Sequence, residues 1–241
     1  MIISAKVWNA YVQKLAMTQK AAYNDLKDFL EKNGGFELYK TNPNLVIDYV
    51  YGISTKYGEA ASALACELYD AVALAEGVSV PSAVPAATAT ISETAKLVNG
   101  TANVSEAVFL QAAPRLVKQA SEDTILQNAE RDGSYFAWIP SGDSCSFCIT
   151  LASRGWQKIS KKALKNGHAE HIHANCDCHY AIKFNSDSDV AGYDPDEYYQ
   201  EYVDAGKNIN AMRRISYQEN KDEINAQRRE RYAEKKESSE S

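Results

Sequence analysis

The stretch that decides how this chain folds is Asp143-Ser-Cys145-Ser-Phe-Cys148, or DSCSFC. It is matched further on by His173-Ala-Asn-Cys176-Asp-Cys178, or HANCDC. Four of the five cysteines among the 241 residues fall in these two segments, and all four histidines lie between residues 168 and 179. Thiols and imidazoles are the ligands that zinc prefers in proteins. Their concentration in one short part of the chain therefore predicts a metal site.

The spacing C-x2-C followed by H-x2-C-x-C fits zinc. A C-x-x-C turn lets two thiolates reach one tetrahedral ion at about 2.3 Å each. We predict a structural zinc site formed by Cys145, Cys148 and His173, with Cys176 or Cys178 as the fourth ligand. Such an ion stabilises a segment that has little core of its own. The alternative is redox or disulfide chemistry of the same cysteines.

The sequence gives less support to a catalytic use of the metal. His168-Ala-Glu170 matches the H-x-E of zinc deaminases, but here the C-x-x-C pair comes first and has no proline directly before it. The H-E-x-x-H motif of zinc proteases is absent. A zinc-containing nuclease of the HNH kind stays as the enzyme alternative. It needs a histidine general base beside a second, open metal site, and it predicts divalent-ion-dependent DNA cleavage that is lost when His171 or His173 is changed to Ala. In the main interpretation the chain is not an enzyme and no residue is catalytic.

Composition indicates a soluble, globular protein. Hydrophobic residues make up 45% of the chain and charged residues 24%, and the formal net charge is −6. The first residues, MIISAKVWNAYVQK, lack the basic start and apolar run of a signal peptide. No apolar stretch approaches the roughly 20 residues of a membrane helix. We therefore expect synthesis in a cytoplasm, where thiols stay reduced, and no membrane partner.

Hydrophobic periodicity predicts that the first part of the chain is helical. The predicted elements are a helix over 4–33, a helical region over 43–76 broken near Gly52, a connector over 78–90, and helices over 91–99 and 103–131, the last with Pro114 at a start or kink. Cys66 lies among apolar residues of the second region and is interpreted as a small buried side chain.

The pattern changes after Asp132-Gly133. Strands are predicted over 134–140 and 178–184, a short helix over 160–166, and a last helix from 196 to the mid-230s with an interruption near Gly206. The predicted fold class is mainly α with a small α+β zinc-braced module, a helical N-terminal region and a helical C-terminal arm. The predicted divisions are 1–133 (helical region), 134–185 (Cys/His module) and 186–241 (acidic linker, basic helix and disordered tail).

The two cysteine segments also resemble a known family motif. PSGDSCSFCITLASRGW (140–156) followed by HIHANCDCHYAIKF (171–184) is similar to the C-terminal motif of Mu F-like minor head proteins of tailed bacteriophages and prophages. LASRG after the C-x-x-C resembles the siphophage branch, and KYGEAASALACELYDAVALAEG (56–77) resembles a helical stretch of that branch. The resemblance runs from about residue 50 to 185. Its matching positions are Asp143, Cys145, Cys148, Leu151, Gly155, His173, Cys176 and Cys178.

The resemblance implies a structural role in the virion. It implies a minor capsid (minor head) protein that is made in the bacterial host cytoplasm, associates with portal and head proteins, and acts in head morphogenesis and in DNA packaging or delivery. Ala174 and Asp177 depart from the family pattern, which often has proline and arginine there. A third interpretation, a host zinc-binding interaction protein, stays open.

The C-terminal arm contains clustered arginines. Arginine and interleaved tyrosine side chains can contact nucleic acid through phosphates and bases, so packaged DNA is a candidate partner. The interspersed acids Glu219, Asp222, Glu223 and Glu230 favour instead a solvated helix with i to i+4 ion pairs. The candidate nucleic-acid residues are Arg213, Arg214, Arg228, Arg229 and Arg231.

Overall fold

Helices make up most of the computed structural model, which describes residues 2–140, 145–158, 178–190, 192–222, 225–226 and 228–229. Its helices are α1 (Ala5–Lys32), α2 (Glu37–Thr41), α3 (Pro43–Ala75), α4 (Ile91–Ala102), α5 (Glu106–Phe109), α6 (Ala112–Asp132), α7 (Ser146–Ala152), α8 (Pro195–Asp204) and α9 (Ile209–Glu219). The expected mainly helical class is confirmed. The short helix predicted over 160–166 lies outside the described residues.

The chain forms two compact units. The first contains Met1–Ser141 and Trp156–Tyr193, and the second contains Gly142–Gly155 and Asp194–Ser241. The three-part division made from the sequence, with boundaries after 133 and 185, stays a prediction.

The long helices of the first unit begin at side-chain caps. Ser4 accepts a hydrogen bond from the Val7 backbone N–H at the start of α1, and Asn42 accepts one from Leu45 at the start of α3. These bonds satisfy backbone N–H groups that have no partner within the first turn. At α4, Thr90 and Glu93 form a reciprocal capping box.

The predicted break of the second helical region near Gly52 was wrong. α3 runs without interruption from Pro43 to Ala75. A glycine inside a helix costs only about 1 kcal/mol relative to alanine. The neighbouring side chains Val50 and Ile53 are both buried, and this burial outweighs that cost.

The core of the first unit lies where α1, α3 and α6 pack together. α3 presents small residues to α6, among them Gly58 and Ser62, and the Ser62 hydroxyl donates to the Ala120 carbonyl at 3.1 Å. Small residues let the two helix backbones approach closely. As the sequence predicts, α1 buries one face, which consists of Trp8, Tyr11, Leu15, Ala22, Leu26 and Leu30.

A three-stranded antiparallel sheet covers part of this helical core. Its central strand is β2 (Tyr135–Ile139), flanked by β3 (Gln157–Lys158) and β4 (His179–Lys183). The register places Ile139 opposite His179 and Tyr135 opposite Lys183. Both predicted strands are confirmed to within two residues. A second pairing, of β1 (Ile2–Ile3) with β5 (Asp189–Val190) in parallel, was not predicted.

The second unit consists of short helices. Thr150 of α7 lies with its hydroxyl 3.6 Å from the Sδ of Met212, a buried residue of α9. α8 ends where Gly206 and Lys207 both adopt a positive φ, so the interruption predicted near Gly206 is confirmed. In neither unit is a described helix both long enough and apolar enough to cross a membrane.

Candidate metal centre

The C-x-x-C pair lies at the start of α7. Cys145 is the residue before the helix, and Cys148 is in its first turn. Their Sγ atoms are 3.6 Å apart, and both cysteines are reduced. A disulfide would require about 2.0 Å. Two sulfur ligands at 2.3 Å from a tetrahedral ion are about 3.8 Å apart, so the observed geometry fits two ligands of one zinc.

The other predicted ligands are only partly described. Cys178 belongs to the first unit, directly before β4, and is a buried cysteine that is 1% exposed and forms no disulfide. His173 and Cys176 lie outside the described residues, as do His168 and His171. Among the residues that the structure describes, no group of three or more His, Cys, Asp or Glu side chains is placed to hold a metal ion. The complete ligand set stays a prediction.

His179, the residue after Cys178, is a core side chain. It is 4% exposed, and its Nδ1 lies 3.1 Å from Glu122 Oε1. The rings of Trp8 and Tyr11 meet the imidazole edge-on, with centroid distances of 6.4 and 6.2 Å. Its burial excludes an exposed role for this histidine. Its enclosure leaves no room for a substrate at this imidazole.

Glu122 of α6 is the acidic partner that sequence reasoning missed. Its side chain is fully buried, and its Oε2 accepts the Tyr180 backbone N–H at 2.9 Å while Oε1 faces His179. A buried carboxylate needs such donors because burial removes its water. The signal in the sequence is weak: Glu122 lies between the apolar pairs Leu116-Val117 and Ile125-Leu126.

A further buried contact lies beside Glu122. The Tyr11 hydroxyl and the Ser121 hydroxyl are 2.7 Å apart. Burial, and then the negative charge of Glu122, hold the pKa of the Tyr11 phenol well above its usual value. Tyr11 therefore stays neutral and acts as a hydrogen-bonding core residue.

Cys66 of α3 is half-buried in the structure. Burial, and then the charge of Asp70, raise the pKa of its thiol. A thiol of this kind is poorly nucleophilic. The half-buried position and the raised pKa agree with a packing role for the Cys66 side chain.

The basic arm is described only in part. Arg213 and Arg214 are exposed on α9, and Arg228 and Arg229 are exposed further along. The Arg228 guanidinium lies 5.9 Å from the centroid of the Tyr217 ring. Arg231 lies outside the described residues. Nucleic-acid contact by these side chains stays a prediction.

Taken together, the fold and this site define a mainly helical protein with a small antiparallel sheet and a reduced, closely spaced cysteine pair. The family model described as "VG15 protein" matches residues 2–205, and the chain belongs to that family. Membership indicates a phage-encoded protein. Searches of curated proteins and of solved structures found no match.

Proposed function

We propose that this chain is a structural minor head protein of a tailed phage or prophage, associated with the portal and acting in head assembly and in DNA packaging or delivery. The observation that carries the proposal is the VG15 family match over residues 2–205, which spans the helical core and both cysteine segments. The similarity of those segments to the Mu F-like motif supports the finer assignment to the head.

Zinc is part of the proposal as a structural ion. Cys145 and Cys148 would supply two ligands, and the 3.6 Å between their sulfur atoms supports this. His173, with Cys176 or Cys178, would complete the shell. An ion with four Cys and His ligands has no open position, so it contributes folding free energy and no Lewis-acid chemistry.

Contact with packaged DNA is the second part of the proposal. The chain as a whole has a formal net charge of −6, so general attraction to DNA is not expected. The arm arginines that the structure describes, Arg213, Arg214, Arg228 and Arg229, are exposed, which leaves them able to reach phosphate groups or an acidic portal surface. Binding through them should weaken steeply as the salt concentration rises.

The experiment is protein mass spectrometry of purified phage particles that have been separated into heads and tails. We expect this chain in the head fraction, at few copies per particle, and we expect it to co-purify with the portal protein. Its absence from particles would overturn the head assignment. Cleavage of DNA by the purified chain with a divalent ion, lost in His171→Ala or His173→Ala, would establish the nuclease alternative instead.

Metal content is measured separately, by native mass spectrometry of the purified chain. One zinc per chain is expected in the wild type and in Cys66→Ser, the matched control. Cys145→Ser should lose the ion. A metal-free wild type whose Cys145 and Cys148 form a disulfide on oxidation would overturn the zinc proposal. The head assignment would then depend on the mass spectrometry of the phage particles alone.

A further inference from the structure

The chain contains three Asn-Gly pairs, and the structure describes two of them in different backbone surroundings. Asn33-Gly34 directly follows α1, and Asn99-Gly100 lies in the last turn of α4. Asn166-Gly167 lies outside the described residues. A glycine has no side chain to obstruct its own backbone nitrogen, so this nitrogen can approach the side-chain carbonyl carbon of the preceding asparagine. The local structure then decides whether the two atoms meet.

The turn after α1 places few restraints on the nitrogen of Gly34. Asn33 has φ −120° and ψ 22°, outside the helical range, and Gly34 and Gly35 have positive φ values of 100° and 73°. The N–H groups of Asn33 and Gly35 donate to the Leu30 carbonyl, whereas that of Gly34 has no backbone acceptor among the described residues. Apart from its chain neighbours, no described atom lies within 4 Å of the place where a Cβ on Gly34 would stand.

The side chain of Asn33 is equally accessible. The residue is exposed, and its Nδ2 donates to the Phe29 carbonyl at 2.7 Å. Water competes for both groups at an exposed site, so this bond holds the side-chain amide only weakly. Rotation of the peptide between Asn33 and Gly34 therefore brings the glycine nitrogen to the Asn33 Cγ without the loss of a buried contact.

Asn99-Gly100 has the same chemistry but is held by its helix. Gly100 lies within α4, where backbone N–H groups donate to carbonyls four residues earlier. Asn99 Oδ1 accepts the Tyr39 hydroxyl at 2.7 Å, and the Asn99 carbonyl accepts Asn103 Nδ2 at 2.9 Å. Attack at Asn99 therefore requires that the last turn of α4 open first and that the contact with Tyr39 break.

We propose that Asn33 is a site of spontaneous deamidation, and that the fold directs this reaction to Asn33 and away from Asn99. The Gly34 nitrogen forms a bond to Asn33 Cγ, the bond from Cγ to Nδ2 breaks, and ammonia leaves with the proton that the nitrogen gives up. Water then opens the resulting succinimide ring at either carbonyl, which leaves aspartate or isoaspartate at residue 33. Neither the head assignment nor the zinc site enters this reaction.

The reaction changes the junction between α1 and α2. A carboxylate at residue 33 cannot donate to the Phe29 carbonyl, and it adds negative charge where the helix end already has partial negative charge. Isoaspartate also lengthens the backbone of the turn by one methylene. Beyond the turn, the rings of Phe36 and Tyr39 contact Phe109 with centroid distances of 5.1 and 5.6 Å. Deamidation therefore acts on the segment that leads into this aromatic contact.

The test follows the full-length chain during incubation at mildly alkaline pH, which favours loss of the proton from the attacking nitrogen. Peptides containing Asn33 and Asn99 are quantified by mass spectrometry, with electron-transfer fragmentation to distinguish isoaspartate from aspartate. The same incubation in urea provides the unfolded reference. The matched control variant is Asn33→Gln, which keeps an amide but must close a larger ring, a slower reaction.

In the folded chain we expect deamidation of Asn33 to be at least about tenfold faster than that of Asn99. In urea the two rates should agree within about threefold, since neither pair then has fixed structure. Asn33→Gln should accumulate no product at residue 33 over the same period and should leave the rate at Asn99 unchanged.

Equal rates at the two asparagines in the folded chain, or a faster reaction at Asn99, would overturn the proposal. It would also fail if Asn33 stayed intact in the folded chain while it reacted in urea, because the turn would then protect the residue. A tenfold preference for Asn33 that persisted in urea would show that neighbouring sequence, and not the fold, selects the site.

Discussion

Tyr11 and Ser121 are 110 residues apart in the chain, and their hydroxyl oxygens lie 2.7 Å apart in the core. Tyr11 is on α1 and Ser121 is on α6, and both residues are buried. A hydrogen bond between two buried hydroxyls satisfies both, so the bond selects the relative rotation of the two helices that keeps the groups in contact.

Tyr11→Phe should lower the free energy of unfolding by about 1–3 kcal/mol, because it leaves the Ser121 hydroxyl buried without this partner. The double variant Tyr11→Phe/Ser121→Ala removes both polar groups. Its loss in the free energy of unfolding should therefore be smaller than the sum of the losses in the two single variants. Urea unfolding of the four proteins measures this coupling. The control is Tyr51→Phe on the exposed side of α3, which should change stability by less than about 0.5 kcal/mol. Strict additivity of the two core variants would contradict the predicted coupling.

Side chains of α6 hold the connector over 78–90 by hydrogen bonds to its backbone. Asn128 accepts the Val84 N–H at 2.9 Å and donates to the Val84 carbonyl at 2.8 Å, while the Thr124 hydroxyl accepts the Ala86 N–H at 3.0 Å. The Arg131 guanidinium donates to the carbonyls of Pro81 and Ser82. This segment therefore has fixed backbone partners although it contains no helix or strand.

Asn128→Ala should release the connector and lower the free energy of unfolding by about 1–3 kcal/mol, the sum for its two part-buried hydrogen bonds to Val84. Amide hydrogen exchange measured by NMR should become faster at Val84 and Ala86, while the amides in the middle of α1 keep their protection. The matched control is Asn103→Ala, an exposed asparagine at the end of α4, which should leave exchange in the connector unchanged. Equal protection of the Val84 amide from hydrogen exchange in both variants would rule out that Asn128 holds the connector on α6.

The capping box of α4 should make stability depend on pH in the acid range. Hydrogen bonds from the Thr90 backbone and hydroxyl to the Glu93 carboxylate lower the pKa of Glu93. A group whose folded pKa is depressed stabilises the protein above its unfolded pKa of about 4.3, and this contribution is lost as pH falls through the folded pKa. Glu93 is largely exposed, so solvent screening limits the contribution to at most about 1 kcal/mol.

Glu93→Gln should therefore unfold at a lower urea concentration than the wild type near neutral pH. The difference between the two midpoints should shrink as pH is lowered from about 5, and it should be smallest below about pH 3. Thr90→Val removes the hydroxyl that donates to the Glu93 carboxylate. The difference between its urea midpoint and that of the wild type should also shrink at low pH, by a smaller amount. A difference that stays constant across this whole range would contradict a role for the ionised carboxylate.

Local signals made much of this structure predictable from the sequence. The apolar face of α1, the glycine with positive φ after α6 and the aromatic run of β2 each depend on residues close together in the chain. The same holds for the cysteine pair, because a three-residue spacing at a helix start brings the two side chains together whatever surrounds them.

Contacts between residues that are far apart in the chain could not be predicted from the sequence. Glu122 looks like an ordinary exposed acid of a helix, because its partners His179 and Tyr180 lie 57 and 58 residues further on. β1 and β5 are two residues each, too short to produce a periodic pattern. The connector was identified as a loop, but its attachment to α6 depends on side chains about 40 residues away.

Cys145→Ser should separate the metal-dependent part of the chain from the helical core. Serine is a poorer zinc ligand than a thiolate, so the variant should lose the proposed ion and the folding free energy that binding supplies. The segment over 134–185 should then lose order. α1, α3 and α6 bury their own apolar faces against one another and should stay folded.

Far-ultraviolet circular dichroism and amide exchange of the wild type and the variant, both purified in the presence of zinc, measure the two parts independently. We expect helical signal close to that of the wild type, with exchange accelerated only within 134–185, β2 and β4 included. Cys66→Ser is the control, since Cys66 is a half-buried packing residue of α3, and it should keep both the zinc and the strand protection. If Cys145→Ser instead loses helix along the whole chain, the helical core depends on the cysteine segments and the division of the chain after residue 133 is wrong.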